Sequence, residues 1–216
     1  MKVLLIGATG ATGKFVVQHL LGDERIEEVK IFVRRSTSIS HSKLNEFVID
    51  FDNMNDWKHE MIGDVAISCL GTTLKQAGSK ENQWKVDYDY QYHFARLCKQ
   101  NNVPKFVLLS SMNAKEDATF FYSKMKGTLE SEVKKLNFDV LDIVQPGILI
   151  RPNSDRLGER IAEKVIGVLN KVGLFQSYRA THVNDLAWTI KELSIKKEKG
   201  TRIVSLSEIV QLLQKK

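Results

Sequence analysis

Three prolines in 216 residues leave no material for a proline-rich linker, and the 13 glycines are scattered rather than gathered into a flexible tract. Cysteine is scarcer still. Cys69 and Cys98 cannot build a disulfide scaffold, and neither lies in a cluster with metal-ligand spacing, so no metal site is expected. Long apolar runs are missing too: Val3 to Ile6 and Val65 to Leu70 are far too short to span a bilayer. The start, Met-Lys followed by an apolar run that stops at Gly7, has none of the layout of a signal peptide. These absences set the expectation of a cytoplasmic protein without a membrane partner.

Hydrophobic residues at 43% and charged residues at 27% are the proportions of a folded globular chain and exclude wholesale disorder. The net charge of +6 favours anionic ligands, phosphates included. The positive residues are dispersed, apart from Ile195-Lys196-Lys197-Glu198-Lys199 and the final Lys215-Lys216, so no nucleic-acid partner is expected.

Short apolar runs alternate with longer amphipathic stretches. Strands are expected at Val3–Ile6, Val29–Val33, Phe47–Ile49, Val65–Leu70, Phe106–Leu109 and Val140–Val144, with a further one at Arg202–Leu206. Helical spacing marks Lys14–Leu21, Trp84–Lys99, Thr119–Leu136, Arg160–Leu169 and Asn184–Leu193. Strands apolar throughout and separated by helices imply a doubly wound, mainly parallel α/β sheet with helices on both faces. The whole chain, 1–216, reads as one domain with a core over about residues 1–150. The last third, about 151–216, reads as a small extension on the substrate side that completes the sheet and roofs a cleft.

Directly after the first strand comes Gly7-Ala8-Thr9-Gly10-Ala11-Thr12-Gly13, joining it to an amphipathic helix. Gly7 permits a tight turn, Gly10 removes a side chain where a pyrophosphate must approach the backbone, and Gly13 lets helix and sheet pack closely. The free N–H groups and positive end of that helix would face phosphate. At the end of the second strand, where a carboxylate would bind the ribose diol of NAD, stand Arg34 and Arg35. Guanidinium groups bind a 2′-phosphate that a carboxylate would repel, so the pair points to NADP(H). Asp50, ending the third strand, suits an adenine amino group, with Asp52 the weaker claimant and loop capping as good a role for either. Leu70 and Gly71 follow the fourth strand, where ligands of such sheets sit, and would pass under the adenosine ribose. Cys69 reads as a small core residue.

Tyr122 and Lys126 are four apart on the helix after the fifth strand, and that strand ends in Ser110-Ser111. Positions i and i+4 share a helix face. An ammonium about 4 Å away favours a phenolate by about 4 kcal/mol at an effective dielectric of ~20, an upper bound before desolvation. That suits Tyr122 to general acid/base work, with Ser111 orienting a substrate oxygen and Ser110 as the alternative. Elsewhere, His182 to Ala187 reads as a strand end feeding a helix capped by Asn184 or Asp185. Asp87 to Tyr92, acidic and aromatic, fits a dimer surface or partly buried aromatics on a monomer.

Together the glycine loop, Ser110-Ser111, Tyr122-x-x-x-Lys126 and Pro146-Gly147 resemble the atypical branch of the short-chain dehydrogenase/reductase superfamily. Cys69-Leu70-Gly71-Thr72-Thr73, Pro146-Gly147-Ile148-Leu149 and Arg156-Leu157-Gly158-Glu159 make the chain most similar to the Tat-interacting oxidoreductase-like family of NADP-binding proteins. The resemblance implies a Rossmann-like sheet with the nicotinamide near Tyr122, Lys126 and the Pro146-Gly147 turn. It implies cofactor contacts at Thr9, Gly10, Ala11, Thr12, Arg34, Arg35, Leu70, Gly71, Tyr122, Lys126, Ile148 and Arg156. Two functions follow as expectations. One is an NADP(H)-dependent oxidoreductase acting on a small carbonyl or alcohol, with Tyr122, Lys126 and Ser111 catalytic. The other is an NADP(H) sensor without turnover, acting through a protein partner.

Overall fold

The computed structural model describes residues 1–150 and 181–216. Seven parallel strands form the central sheet: β1 (Lys2–Ile6), β2 (Glu28–Val33), β3 (Leu44–Val48), β4 (Val65–Ser68), β5 (Lys105–Leu109), β6 (Val140–Val144) and a last strand, Gly200–Val204. Before that last strand, two short ones, β7 (Leu149–Ile150) and β8 (Thr181–His182), pair in parallel as a separate ribbon. The Gly200–Val204 strand is therefore β9, and the sheet order is β3-β2-β1-β4-β5-β6-β9.

Alternation along each strand feeds two cores. Val3 and Leu5 of β1, Val29 and Ile31 of β2, and Val65 and Ile67 of β4 point to one face. They meet Val16, Val17 and Leu20 of α1 (Gly13–Leu21), and Leu186 and Ile190 of a helix over Val183–Ile195. Leu4, Ile6, Phe32, Ala66, Phe106 and Leu108 point the other way. There they meet Phe94 and Leu97 of the long helix before β5, and Leu129 and Val133 of the helix after it. Each fully buried large apolar side chain contributes about 1.5–3 kcal/mol, so a strand apolar on both sides is stable only between two helical layers.

The helices between β4 and β6 carry the chemistry-bearing residues. Thr73 and Ser79 cap the short helices α2 (Leu74–Ala77) and α3 (Lys80–Trp84), each accepting a backbone N–H three residues on. From α3 the chain runs through a π turn, Lys85–Asp89, into α4 (Tyr90–Gln100). The helix after β5 is α5 (Phe121–Lys135). Of the helices closing the chain, α6 is Val183–Ile195 and α7 is Leu206–Leu213.

The expected further strand near Arg202–Leu206 is β9, which completes the sheet by pairing with β6 from Val140↔Gly200 to Val144↔Val204. Other expectations need correction. The cap of α6 is His182, which makes no side-chain capping bond. Asn184 instead takes His19 of α1 as its partner at 2.9 Å, and Asp185 pairs with Lys216 at 3.2 Å, so interhelical contacts use the side chains that capping would need. The Phe51–Glu60 segment is a kinked 3₁₀ helix and α7 a full helix; neither was anticipated. The expected helix over Arg160–Leu169 lies outside the described residues.

Candidate nucleotide and proton-transfer site

All the central strands end at the same edge of the sheet, and between β1 and β4 the order of connection reverses. Crevices at such a switch point are where open parallel sheets hold ligands. The turn after β1 fits there only with glycine. Gly7 has φ +81°, and a Cβ on it would lie 2.6 Å from the Cys69 carbonyl oxygen and collide with the Leu70 N–H. A Cβ on Gly13 would collide with the Gly7 carbonyl oxygen and stand 2.8 Å from its carbon. At Gly10 the protein itself is more permissive: the nearest atom to an added Cβ is the Gly7 oxygen at 3.2 Å.

The turn is closed by the Gly10 N–H donating to the Gly7 carbonyl at 3.0 Å. Thr12, the residue before α1, makes no side-chain cap. Among the described residues, the N–H groups of Ala11, Thr12 and Gly13 have no hydrogen-bond partner. These donors at a helix start, behind a turn that excludes side chains, fit a diphosphate.

The other nucleotide candidates lie along the same edge. Arg34 and Arg35 follow β2, both exposed, and neither makes an ion pair among the described residues. Asp50 is exposed and caps the 3₁₀ helix, accepting from the Asp52 N–H at 3.0 Å and Asn53 Nδ2 at 2.8 Å, the capping role weighed above. Asp52 is held by Lys85 at 2.7 Å and the Tyr90 hydroxyl at 2.8 Å; the Lys85 bond lowers its carboxyl below the usual range. Leu70 and Gly71 follow β4 beside the glycine turn. Burial pushes the Cys69 thiol up to about 12, so it stays protonated and acts as a small core residue. Ile148 is on the surface beyond Pro146-Gly147, while Arg156 lies outside the described residues.

Next along the edge comes the Ser–Tyr–Lys set. The two serines are separated by their partners. The Ser110 hydroxyl is buried and donates to Glu130 of α5, which also accepts from Gln145 Nε2 at 2.9 Å. Ser111 Oγ is buried and has no partner among the described residues. Ser110 is thus engaged by Glu130, while Ser111 is not. Tyr122, in the first turn of α5, is 41% exposed. The loop before it is fastened to that turn by the Lys115 N–H, which donates to the Ser123 carbonyl at 3.1 Å.

Lys126 departs from the simple picture of a free cation beside a phenol. It is 2% exposed, with its Nζ 3.5 Å from Oδ1 of Asp87, itself 1% exposed. Asp87 was read from its neighbours as part of an acidic and aromatic surface, so its pairing with Lys126 was missed. The ring neighbours do form a face: Trp84 lies 5.0 Å from Tyr88 and 6.2 Å from Phe121, and Tyr88 stacks on Tyr92 at 6.1 Å. Helical spacing does put Asp87 on the buried face, in line with Gln83, Gln91, Phe94 and Cys98, so the signal was present in the sequence.

Comparison with known proteins gives the family and the fold. Residues 7–158 match a protein family described as NAD(P)H-binding. The protein HTATIP2 of Rattus norvegicus is 34% identical over 173 residues, covering 78% of this chain and 71% of that protein. The mitochondrial protein FMP52 of Candida albicans is 31% identical over 215 residues, 94% of this chain and 93% of its own. The mitochondrial fmp52 of Aspergillus niger is 33% identical over 186 residues, 82% and 77% of the two chains. Among solved structures, the oxidoreductase ylbE of Lactococcus lactis superposes with a TM-score of 0.65 at 21% identity, covering 100% of this chain and 98% of its own. WbmG of Bordetella bronchiseptica, in complex with NAD, reaches a TM-score of 0.70 at 13% identity, covering 99% and 76%. Such low identities establish the Rossmann-like fold alone. The mitochondrial designation of the FMP52 relatives overturns the expectation of a cytoplasmic location. Among the described residues no helix is long and apolar enough to cross a membrane.

Proposed function

Because the chain belongs to the NAD(P)H-binding family, we propose that it is an NADP(H)-dependent oxidoreductase interconverting a carbonyl and an alcohol. The observation that carries the reading is the pairing of two features along one sheet edge. At one end, a turn that excludes side chains presents N–H groups unpaired among the described residues; further along, Ser111, whose hydroxyl has no partner among those residues, follows β5 ahead of the helix bearing Tyr122 and Lys126.

The N–H groups at the head of α1 would hold the diphosphate, and Arg34 with Arg35 the 2′-phosphate. Bound there, the coenzyme supplies or accepts the hydride. The chain's residues do the rest. Ser111 Oγ donates a hydrogen bond to the substrate oxygen and keeps it beside the phenol. Tyr122 gives its proton to that oxygen in reduction and takes it back in oxidation. Lys126 would hold the nicotinamide ribose. A small-molecule substrate completes the site, and the protein acts as a monomer or a homodimer.

The test is turnover of a panel of carbonyl compounds with NADPH by wild type and Tyr122→Phe. Activity in wild type that falls at least about 100-fold in the variant, with NADPH affinity retained, is the expected result. Unchanged turnover in Tyr122→Phe removes the phenol from the reaction. Tight NADPH binding without turnover of any compound leaves the nucleotide sensor as the better reading.

A further inference from the structure

Asp87 stands at the centre of contacts that reach both halves of the proposed site. It lies in the π turn, where the Tyr90 N–H bonds to the Lys85 carbonyl five residues back. Such a one-residue widening costs hydrogen-bond geometry and persists where it sets a side chain for use. Here it goes with an inward Asp87 between exposed Lys85 and Asp89. The Asp87 carbonyl accepts from Gln91 Nε2 at 2.8 Å, and Gln91 Oε1 accepts from the Ser68 hydroxyl at 2.8 Å, which ties the turn to the end of β4.

The carboxylate is divided between two duties. Oδ2 accepts the Thr72 N–H at 2.8 Å, fixing the backbone just after Leu70 and Gly71. Oδ1 lies under Gly71, 3.3 Å from where a Cβ would be, and 3.5 Å from Lys126 Nζ. At that distance the ammonium is balanced electrostatically, yet Oδ1 forms no hydrogen bond. A buried polar atom left without a hydrogen bond is uncommon and calls for a reason. A slack ion pair supplies one: Asp87 lies opposite the ammonium without engaging its N–H donors, which bond to no other acceptor among the described residues.

We propose that Asp87 is the positioning residue of this site, setting the Leu70–Thr72 loop with one oxygen and counter-charging Lys126 with the other. Loop and lysine are then fixed relative to each other by a single side chain. The coenzyme half of this inference rests on the proposed nucleotide site; the loop half does not. Burial pushes the Asp87 carboxyl up from its usual range, and the Lys126 ammonium opposes that shift.

The test is a double-mutant cycle of Asp87→Asn and Lys126→Met, read by NADPH titration, together with amide exchange at Thr72 in nucleotide-free protein. Asparagine keeps an oxygen for the Thr72 N–H and removes the counter-charge. Asp87→Asn is expected to weaken NADPH about tenfold in the native background and less than about threefold beside Lys126→Met, because the lysine through which it acts is gone. Thr72 exchange should stay within about threefold of wild type in Asp87→Asn and rise at least about tenfold in Asp87→Ala. If Asp87→Ala does not fold, the Asparagine variant carries the cycle. Equal losses in both backgrounds, unchanged NADPH affinity in Asp87→Asn, or Thr72 exchange as slow in folded Asp87→Ala as in wild type overturns the proposal. If wild type binds no NADPH, the oxidoreductase reading falls, and Thr72 exchange still decides the role of Asp87 in the loop.

Discussion

Replacing Gly10 and Gly13 by alanine, one at a time, distinguishes a turn that merely needs glycine from one shaped for phosphate. At Gly13 two effects oppose. Alanine is favoured over glycine within a helix by about 1 kcal/mol. Its Cβ, however, would collide with the Gly7 carbonyl oxygen and sit 2.8 Å from the carbon, where ordinary contact begins at 3.4 Å. Both are backbone atoms of the turn that abuts Cys69 and Leu70, so they cannot swing aside as a side chain would. Overpacking of this kind costs about 3 kcal/mol, leaving a net loss of about 2 kcal/mol. For a chain of this size that lowers Tm by about 4–8 °C. At Gly10 the one close neighbour is 3.2 Å away and needs to give by a few tenths of an ångström, so stability should change by less than about 1 kcal/mol. The added methyl would stand where the pyrophosphate approaches, and NADPH affinity should fall at least about tenfold, or 1.4 kcal/mol. Thermal unfolding by circular dichroism and NADPH titration of both variants make the comparison. A Gly10→Ala protein that binds NADPH as wild type does refutes the phosphate role. A Gly13→Ala protein with the native Tm refutes the close approach of α1 to the turn.

Removing both guanidinium groups, Arg34→Ala with Arg35→Ala, should weaken NADPH at least about tenfold and NADH less than about threefold by calorimetry, since only the former carries the 2′-phosphate. Equal affinity of the native protein for the two coenzymes would refute that specificity. A separate prediction concerns Asp23, which joins the end of α1 to α6 through Arg25 at 2.6 Å and Lys191 at 3.1 Å. The Arg25 hydrogen bond holds the Asp23 carboxyl well below the usual carboxylate range. A depressed carboxyl contributes stability that is complete above the unfolded value of about 3.9 and is lost as pH falls through the folded value. Asp23→Asn should therefore be less stable than wild type in urea at pH 7, with the gap narrowing below about pH 4. A gap of constant size over that range would show that the ion pair is not its source.

How much of the site could be read from the chain depends on what each residue answers to. Gly7 and Gly13 answer to backbone atoms within a few residues or on the adjacent strand, and few other residues fit, so their meaning is legible. The strands β1, β2, β4, β5 and β6 are legible for a related reason: two helical layers require them to be largely apolar on both faces, whereas edge strand β3 buries none of its residues. Helix α7 could have been found from Ser205-Leu206-Ser207-Glu208, whose first and last residues form a capping box. The 3₁₀ helix over Phe51–Glu60 has no 3.6-residue apolar repeat and offered no such signal. The two serines are of another kind. What separates them is Glu130, which accepts from Ser110 and which only the packing of α5 brings to the end of β5. Asp87 is the extreme case: its spacing from Gln83 and Gln91 marks it as inward, but only the packing of α5 sets Lys126 opposite it. A residue constrained by its own neighbourhood can be read in one dimension, while a buried charge takes its role from whichever charge the helix register sets opposite it. That is why the glycine turn can be read from the sequence unaided, and why the proposed proton-transfer half has to be argued from pairings. Of these, Asp87 with Lys126 is the one whose removal should be felt at both ends.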